Sequence, residues 1–236
     1  GLLSVVEETS RAMLDATTDV PVAQAALMGN LGLVLKTRGD LDGAEAMYRK
    51  ALAINEKLGR LEGRAIAYGN LGNVMATRGD LEGAEAMYRK SLEINEILGR
   101  LEGMASAYGN LGIVMRKRGD LDGAEAMHRK SLAIEEKLGR LEGMANQYGN
   151  LGNIKQTRGD LDGAEAMYRK SLEINEKLGR LEGMASQYSN LGLMMEQRGK
   201  PDQARELWIK SRDLYSKIGI RHMADKVQGW IDALPQ

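Results

Sequence analysis

Asparagine recurs at positions 30, 70, 110, 150 and 190, each time followed by Leu-Gly. A carboxamide carries both a donor and an acceptor, so a row of them can pair with the backbone of an extended peptide whatever its side chains. The same row also fits asparagines bonded to a neighbouring helix, or copies left by duplication. Gly29, Gly69, Gly109 and Gly149 stand beside the row and leave room for a backbone to come close. Other chemistries find little support. The chain has no cysteine, which removes disulfides, thiolate metal sites and thiol catalysis. Its two histidines, His128 and His222, lie far apart and make no metal site, so no metal and no cofactor are expected. The recurrent carboxylates read as surface ion-pair partners, and no nucleophile–base pair or phosphate loop stands out, so the chain is not expected to be an enzyme.

The bulk numbers agree with a folded chain that works through binding. Of 236 residues, 43% are hydrophobic and 28% charged, and 33 basic residues balance 33 acidic ones. Nucleic-acid binding needs a basic footprint, which this balance does not offer. No apolar stretch is long enough for a membrane span. The opening Gly-Leu-Leu-Ser-Val-Val-Glu-Glu has no basic region before its apolar run, so no secretory signal is expected, and a cytoplasmic location follows. With no leading Met, the chain can be a fragment of a longer one.

What positions the asparagines is a repeat of forty residues. Residues 61–100, 101–140 and 141–180 all begin Leu-Glu-Gly and end Leu-Gly-Arg, and neighbours agree at about 30 of 40 positions. Residues 22–60 and 181–220 fit the same frame with more changes. Within each unit two helices are predicted. The first runs from about Leu61 to Thr77, with Tyr68, Leu71, Gly72 and Met75 on one face. Gly79 supplies a positive-φ end and Asp80 a cap for the second, which runs from about Leu81 to Leu98. Gly69 and Gly72 lie mid-helix, where each costs roughly 0.5–1 kcal/mol against Ala, so close approach of a neighbouring helix or a ligand backbone is expected there. Connections of two to four residues make neighbouring helices antiparallel. Residues 1–17 are expected to form an N-terminal helix, and residues 221–234 a capping helix. The predicted class is all-α: a single domain over residues 1–236, a solenoid of antiparallel helix pairs.

A second stripe on each first helix turns away from the core. At 100° per residue, positions 66, 69, 73, 76 and 77 centre about 140° from the core face. The middle units differ there: Ile66, Asn73, Ala76 and Thr77, then Ser106, Ile113, Arg116 and Lys117, then Asn146, Asn153, Gln156 and Thr157. Variety on a constant frame is what specific recognition requires, although an exposed face that drifts freely gives the same pattern. Lys36, Arg116 and Lys117 can attract an acidic ligand segment or be plain solvated charges. His128, at a place held elsewhere by Tyr, reads as a packing residue. Lys155, where Met75 and Met115 stand in other units, is expected to snorkel from the core.

The string Tyr68-Gly-Asn-Leu71-Gly72-x-x-Met75, with Gly79-Asp80-Leu81-x-x-Ala84 and Tyr88-x-x-Ser91, resembles the tetratricopeptide repeat. The resemblance covers residues 22–220. The forty-residue period departs from the usual 34 and is similar to the long repeats of Pins-type adaptors and kinesin light chain. It implies a right-handed superhelix with a concave groove, lined by the first helices, that holds an extended peptide or partner segment. The implied binding residues are Asn30, Asn70, Asn110, Asn150 and Asn190, with Lys36, Asn73, Ile113, Arg116, Lys117, Asn153 and Gln156. The lysine with which chaperone-tail adaptors clamp a carboxylate is absent, since its place holds Gly69 and its equivalents. The role implied is a protein-interaction scaffold. The alternatives are a self-associating array, joined through its terminal helices, and a non-catalytic regulatory region of a larger bacterial protein.

Overall fold

The computed structural model describes residues 20–234 and Glu8. The helix expected over residues 1–17 lies outside them. Each forty-residue block folds as two helices: α1 (Pro21–Thr37) and α2 (Leu41–Lys57), α3 (Leu61–Arg78) and α4 (Leu81–Ile97), α5 (Leu101–Lys117) and α6 (Leu121–Leu138), α7 (Leu141–Thr157) and α8 (Leu161–Leu178), α9 (Leu181–Gln197) and α10 (Pro201–Lys217). A shorter α11 (Arg221–Asp232) follows, and no strand occurs among the described residues. The chain divides into two compact units, Gly1–Met127 and His128–Gln236. In the first, α1 to α5 each pack on the next; in the second, α7 to α11 do the same.

The turns follow from local chemistry. The aspartate before a second helix accepts the backbone N–H three residues on: Asp40 from Gly43 at 2.9 Å, Asp80 from Gly83 at 2.8 Å and Asp160 from Gly163 at 2.9 Å. This satisfies a donor that the helix itself leaves free. Gly79, at φ 86°, ends α3 in a left-handed conformation that a side chain would strain. Pro201 opens α10, where its missing N–H costs nothing.

Pairing within a block depends on a missing side chain. A Cβ on Gly72 would stand 2.6 Å from the Tyr88 ring, on Gly152 2.5 Å from Tyr168, and on Gly192 2.4 Å from Trp208 Cδ1. The mid-helix glycine therefore seats the large aromatic residue of the partner helix, and this contact offsets its helix penalty. Ser91 Oγ donates to Ala65 O at 2.9 Å and Ser171 Oγ to Ala145 O at 2.8 Å, so buried hydroxyls add a second link between helices. The first unit buries Leu31, Tyr48, Leu71 and Val74 together; the second buries Tyr168, Leu191, Met194, Trp208, Val227 and Ile231.

Arginines join one block to the next. Arg78 pairs with Asp42 and Glu45 of the preceding second helix, Arg118 with Glu85 at 2.5 Å, and Arg198 with Asp162 and Glu165. Glu85 also pairs with Arg89 one turn on in its own helix, at 2.7 Å, so it is an acceptor shared within the helix and between blocks. Lys155, expected to snorkel from the core, carries its Nζ to the exposed Asp160 Oδ2 at 2.9 Å, so the side chain that stands where Met75 does also reinforces a helix cap.

Candidate functional site

The first helix of each block turns one face to its second helix and leaves another uncovered. In the first unit, Asn70 and Asn110 sit half-buried on that second face and Asn30 is exposed. In the second unit, Asn150 and Asn190 are half-buried in the same way. None of the five carboxamides bonds to another described residue. The reading in which they tie neighbouring helices together therefore finds no bond to support it.

Three depressions mark this face in the first unit. One, of about 380 Å³, is lined by Gly29, Asn30, Leu33, Ile66 and Asn70, together with buried Asn55 and exposed Arg60. The next runs past Ile66, Gly69, Asn70, Asn73, Asn95 and Asn110. The third lies between Lys36, Asn73, Thr77, Ile113 and Lys117. Leu33 and Ile66 are 54% and 52% exposed, which is high for large aliphatic side chains. A Cβ on Gly29 would meet nothing within 4 Å, and one on Gly69 only Ser91 Oγ at 3.7 Å. These two glycines thus differ from Gly72: space beside them is open, as close approach of a ligand backbone would need.

Several sequence-predicted site residues are engaged within the protein. Tyr88 donates to Asn73 Oδ1 at 2.7 Å, and the Tyr168 hydroxyl lies 2.8 Å from both Asn153 Oδ1 and Gln156 Oε1, which share its one proton. Burial pushes the Tyr88 phenol up to about 12, so it remains a donor at any physiological pH. Gln156 also reaches Gln197 Oε1 at 3.1 Å, linking α7 to α9. Asn73, Asn153 and Gln156 therefore brace the block and leave less capacity for a ligand. In the remaining middle block the matching positions are Ile113 and His128; the change removes acceptor and phenol together, and buried His128 Nδ1 lies 2.8 Å from Gln147 Oε1 instead. Lys36 and Arg116 are half-buried, Lys117 is exposed, and none forms an ion pair with a described residue.

Asn55, Asn95 and Arg60 went unnoticed in the sequence, as did Leu33. The signal was present: Asn55, Asn95 and Asn175 each precede a glycine of the next helix, Gly63, Gly103 and Gly183, at one fixed spacing. A Cβ on any of these glycines would collide with the carboxamide at 2.0–2.1 Å. Among the described residues, no group of three or more His, Asp or Glu could hold a metal ion, and no helix is long and apolar enough to cross a membrane.

A sequence model of the MalT-like TPR region matches residues 4–179, and a tetratricopeptide repeat model matches residues 184–218. The chain belongs to the MalT-like TPR family. No curated protein sequence matches it. Solved structures share the fold. BtubC (BKLC) from P. vanneervenii superposes with a TM-score of 0.76 at 21% identity, covering 92% of this chain and 89% of that one. Kinesin light chain TPR-like repeats of Podosopora anserina give 0.67 at 19% identity, with 85% and 99% covered. A Rap protein complexed with Competence and Sporulation Factor gives 0.69 at 15% identity, with 91% and 64% covered.

Proposed function

We propose that this TPR chain is a binding scaffold that takes an extended peptide or partner segment along the uncovered face of its first helices. The observation that carries the reading is the set of five asparagines without a protein partner. Each offers a donor and an acceptor to a passing main chain. Open space beside Gly29 and Gly69 supports it, because only a bare helix surface lets a second backbone come within hydrogen-bonding reach. The Rap protein that shares the fold is solved with a bound factor, a precedent for ligand binding by such an array. Lys36, Arg116, Lys117 and Ile113 supply side-chain selectivity in the first unit. The role needs no catalytic group and no cofactor.

The test uses peptides selected from a random displayed library on the intact protein, then resynthesised and titrated by fluorescence anisotropy. Replacing Asn70, Asn110 and Asn150 together by Ala should weaken binding at least about tenfold while circular dichroism stays unchanged. Unaltered affinity in the triple variant would remove the asparagines from the site.

A further inference from the structure

The space beside the first-helix glycines is not the same in every block. Gly29 and Gly69 are half-buried, whereas Gly149 is buried. The difference traces to one residue of the following first helix, at a step of the repeat held by Ala67, Ala107, Gln147 and Gln187. Ala67 lines the depression beside Gly29, and Ala107 the one beside Gly69. A methyl group is too short to cover the neighbouring helix. A Cβ added to Gly29 finds nothing within 4 Å, and one added to Gly69 finds only Ser91 Oγ, on the paired second helix. In the second unit the residue that follows Gly149 at this step is Gln187. Its carboxamide lies over the glycine, with Nε2 3.3 Å and Oε1 3.6 Å from the place of a Cβ. Gln187 is 8% exposed, and its Oε1 is buried with no hydrogen-bond partner among the described residues. Gln147, by contrast, turns Oε1 to His128 Nδ1.

An unmatched buried oxygen costs stability, and the fold does not need it, since alanine fills the same step in the first unit. The kind of group that covers Gly149 is also informative. A carboxamide is the unit of which a main chain is built, and here it packs on a helix surface that only glycine leaves bare. We propose that Gln187 is a specificity-determining residue, one that confines close contact with the ligand main chain to the bare backbone at Gly29 and Gly69. Over α1 and α3 the ligand descends to the helix surface, where Asn30 and Asn70 stand beside it. Over α7 the amide of Gln187 already fills the place that a ligand amide takes in the first unit. The inference rests on the groove reading above and fixes where along that face the ligand lies deepest.

The experiment titrates the isotope-labelled protein with the library-selected peptides and follows the backbone amide signals of the glycines. Gly29 and Gly69 should shift, and Gly149 should stay in place. Ala107→Gln sets over Gly69 the cover that Gln187 sets over Gly149, at a step where the fold already accepts a glutamine. It should weaken the same peptides at least about tenfold while circular dichroism stays unchanged. Gln187→Ala uncovers Gly149, so peptides selected anew on that variant should shift the Gly149 signal too. The assignment is overturned by a Gly149 shift in the parent equal to those of Gly29 and Gly69, by a Gly149 signal that stays fixed in Gln187→Ala, or by a folded Ala107→Gln protein that binds as its parent does. Should Ala107→Gln fail to fold, the Gly149 signal in the parent and in Gln187→Ala decides. If the peptides depend on Asn70, Asn110 and Asn150 yet one of these contrary results appears, the groove stands and the role of Gln187 falls. If they ignore those asparagines, the groove reading itself is lost.

Discussion

At the scale of single residues, two glycines three positions apart answer to opposite demands. Gly72 exists because the Tyr88 ring occupies the place of a methyl group, with three ring atoms within 3.0 Å of an ideal Cβ. Gly72→Ala forces that ring aside in a close-packed interior and should destabilise the protein by about 1–3 kcal/mol, read from urea unfolding. Gly69 meets only Ser91 Oγ, at an ordinary contact distance. Gly69→Ala should therefore raise stability by about 0.5–1 kcal/mol, since the backbone loses freedom chiefly in the unfolded state. If a ligand backbone passes over this spot, the same substitution weakens library-peptide binding. A variant both more stable and worse at binding is hard to obtain from a purely structural glycine, and a Gly69→Ala protein that binds as well as its parent would argue against close approach there.

At the scale of helices, polar side chains do much of the joining. Arg78 crosses from α3 to Asp42 and Glu45 on α2. Glu45 is held below the usual carboxylate range by hydrogen bonds from Arg49 first and Arg78 next, against the opposing pull of partial burial. In Glu165 burial pushes upward, and Arg169 and Arg198 together outweigh it. A carboxylate depressed in the folded state binds its proton more readily when unfolded. Its contribution is therefore complete above the ordinary carboxylate pKa and fades as pH falls through the lower folded value. Arg78→Ala should cost about 0.5–1 kcal/mol at neutral pH, a modest figure because the pair is partly exposed, and the gap to the parent should close as pH drops below about 4. A gap that persists in acid would assign the loss to packing of the arginine stem. The sequence made the helices legible, since Gly79, Asp80 and the Tyr68–Leu71–Met75 spacing all act within one turn or one face. It did not make the arginine links legible. Arg78 and Glu45 are far apart in the chain, and a pair at that separation has no local signature. Nor did it separate Asn70 from Asn73: both are groove-side asparagines by helical angle, and only Tyr88, reaching back from the second helix, distinguishes the braced one from the open one.

At the largest scale, α11 differs from the helices that precede it. In α11, Ala224, Val227 and Ile231 are buried against the preceding pair, and Trp230 lies 5.5 Å from Trp208 with Lys226 over its outer ring face. Arg221, His222, Asp225, Lys226 and Asp232 are exposed. A helix with this pattern covers what lies beneath and presents water with charge, the pattern that a capping unit of a stacked array needs. Glu45, Glu85 and Glu165 each receive an arginine from the following block, whereas α10 carries Arg205 at that position and offers no such acceptor. We propose that the polar face of α11 and this change of charge both oppose self-association through α10. A chain stopped at Ile220 loses the cover but keeps Arg205. Burial of Val227 and Ile231 alone contributes about 3 kcal/mol or more, so thermal unfolding should move down accordingly. Sedimentation velocity should reveal concentration-dependent association absent from the full chain, as Trp208 and Tyr215 lose their covering. Adding Arg205→Glu to the shortened chain should strengthen that association, because it returns the acceptor that earlier blocks use. If the shortened chain remains as stable and as monodisperse as its parent, α11 is not the element that closes the array.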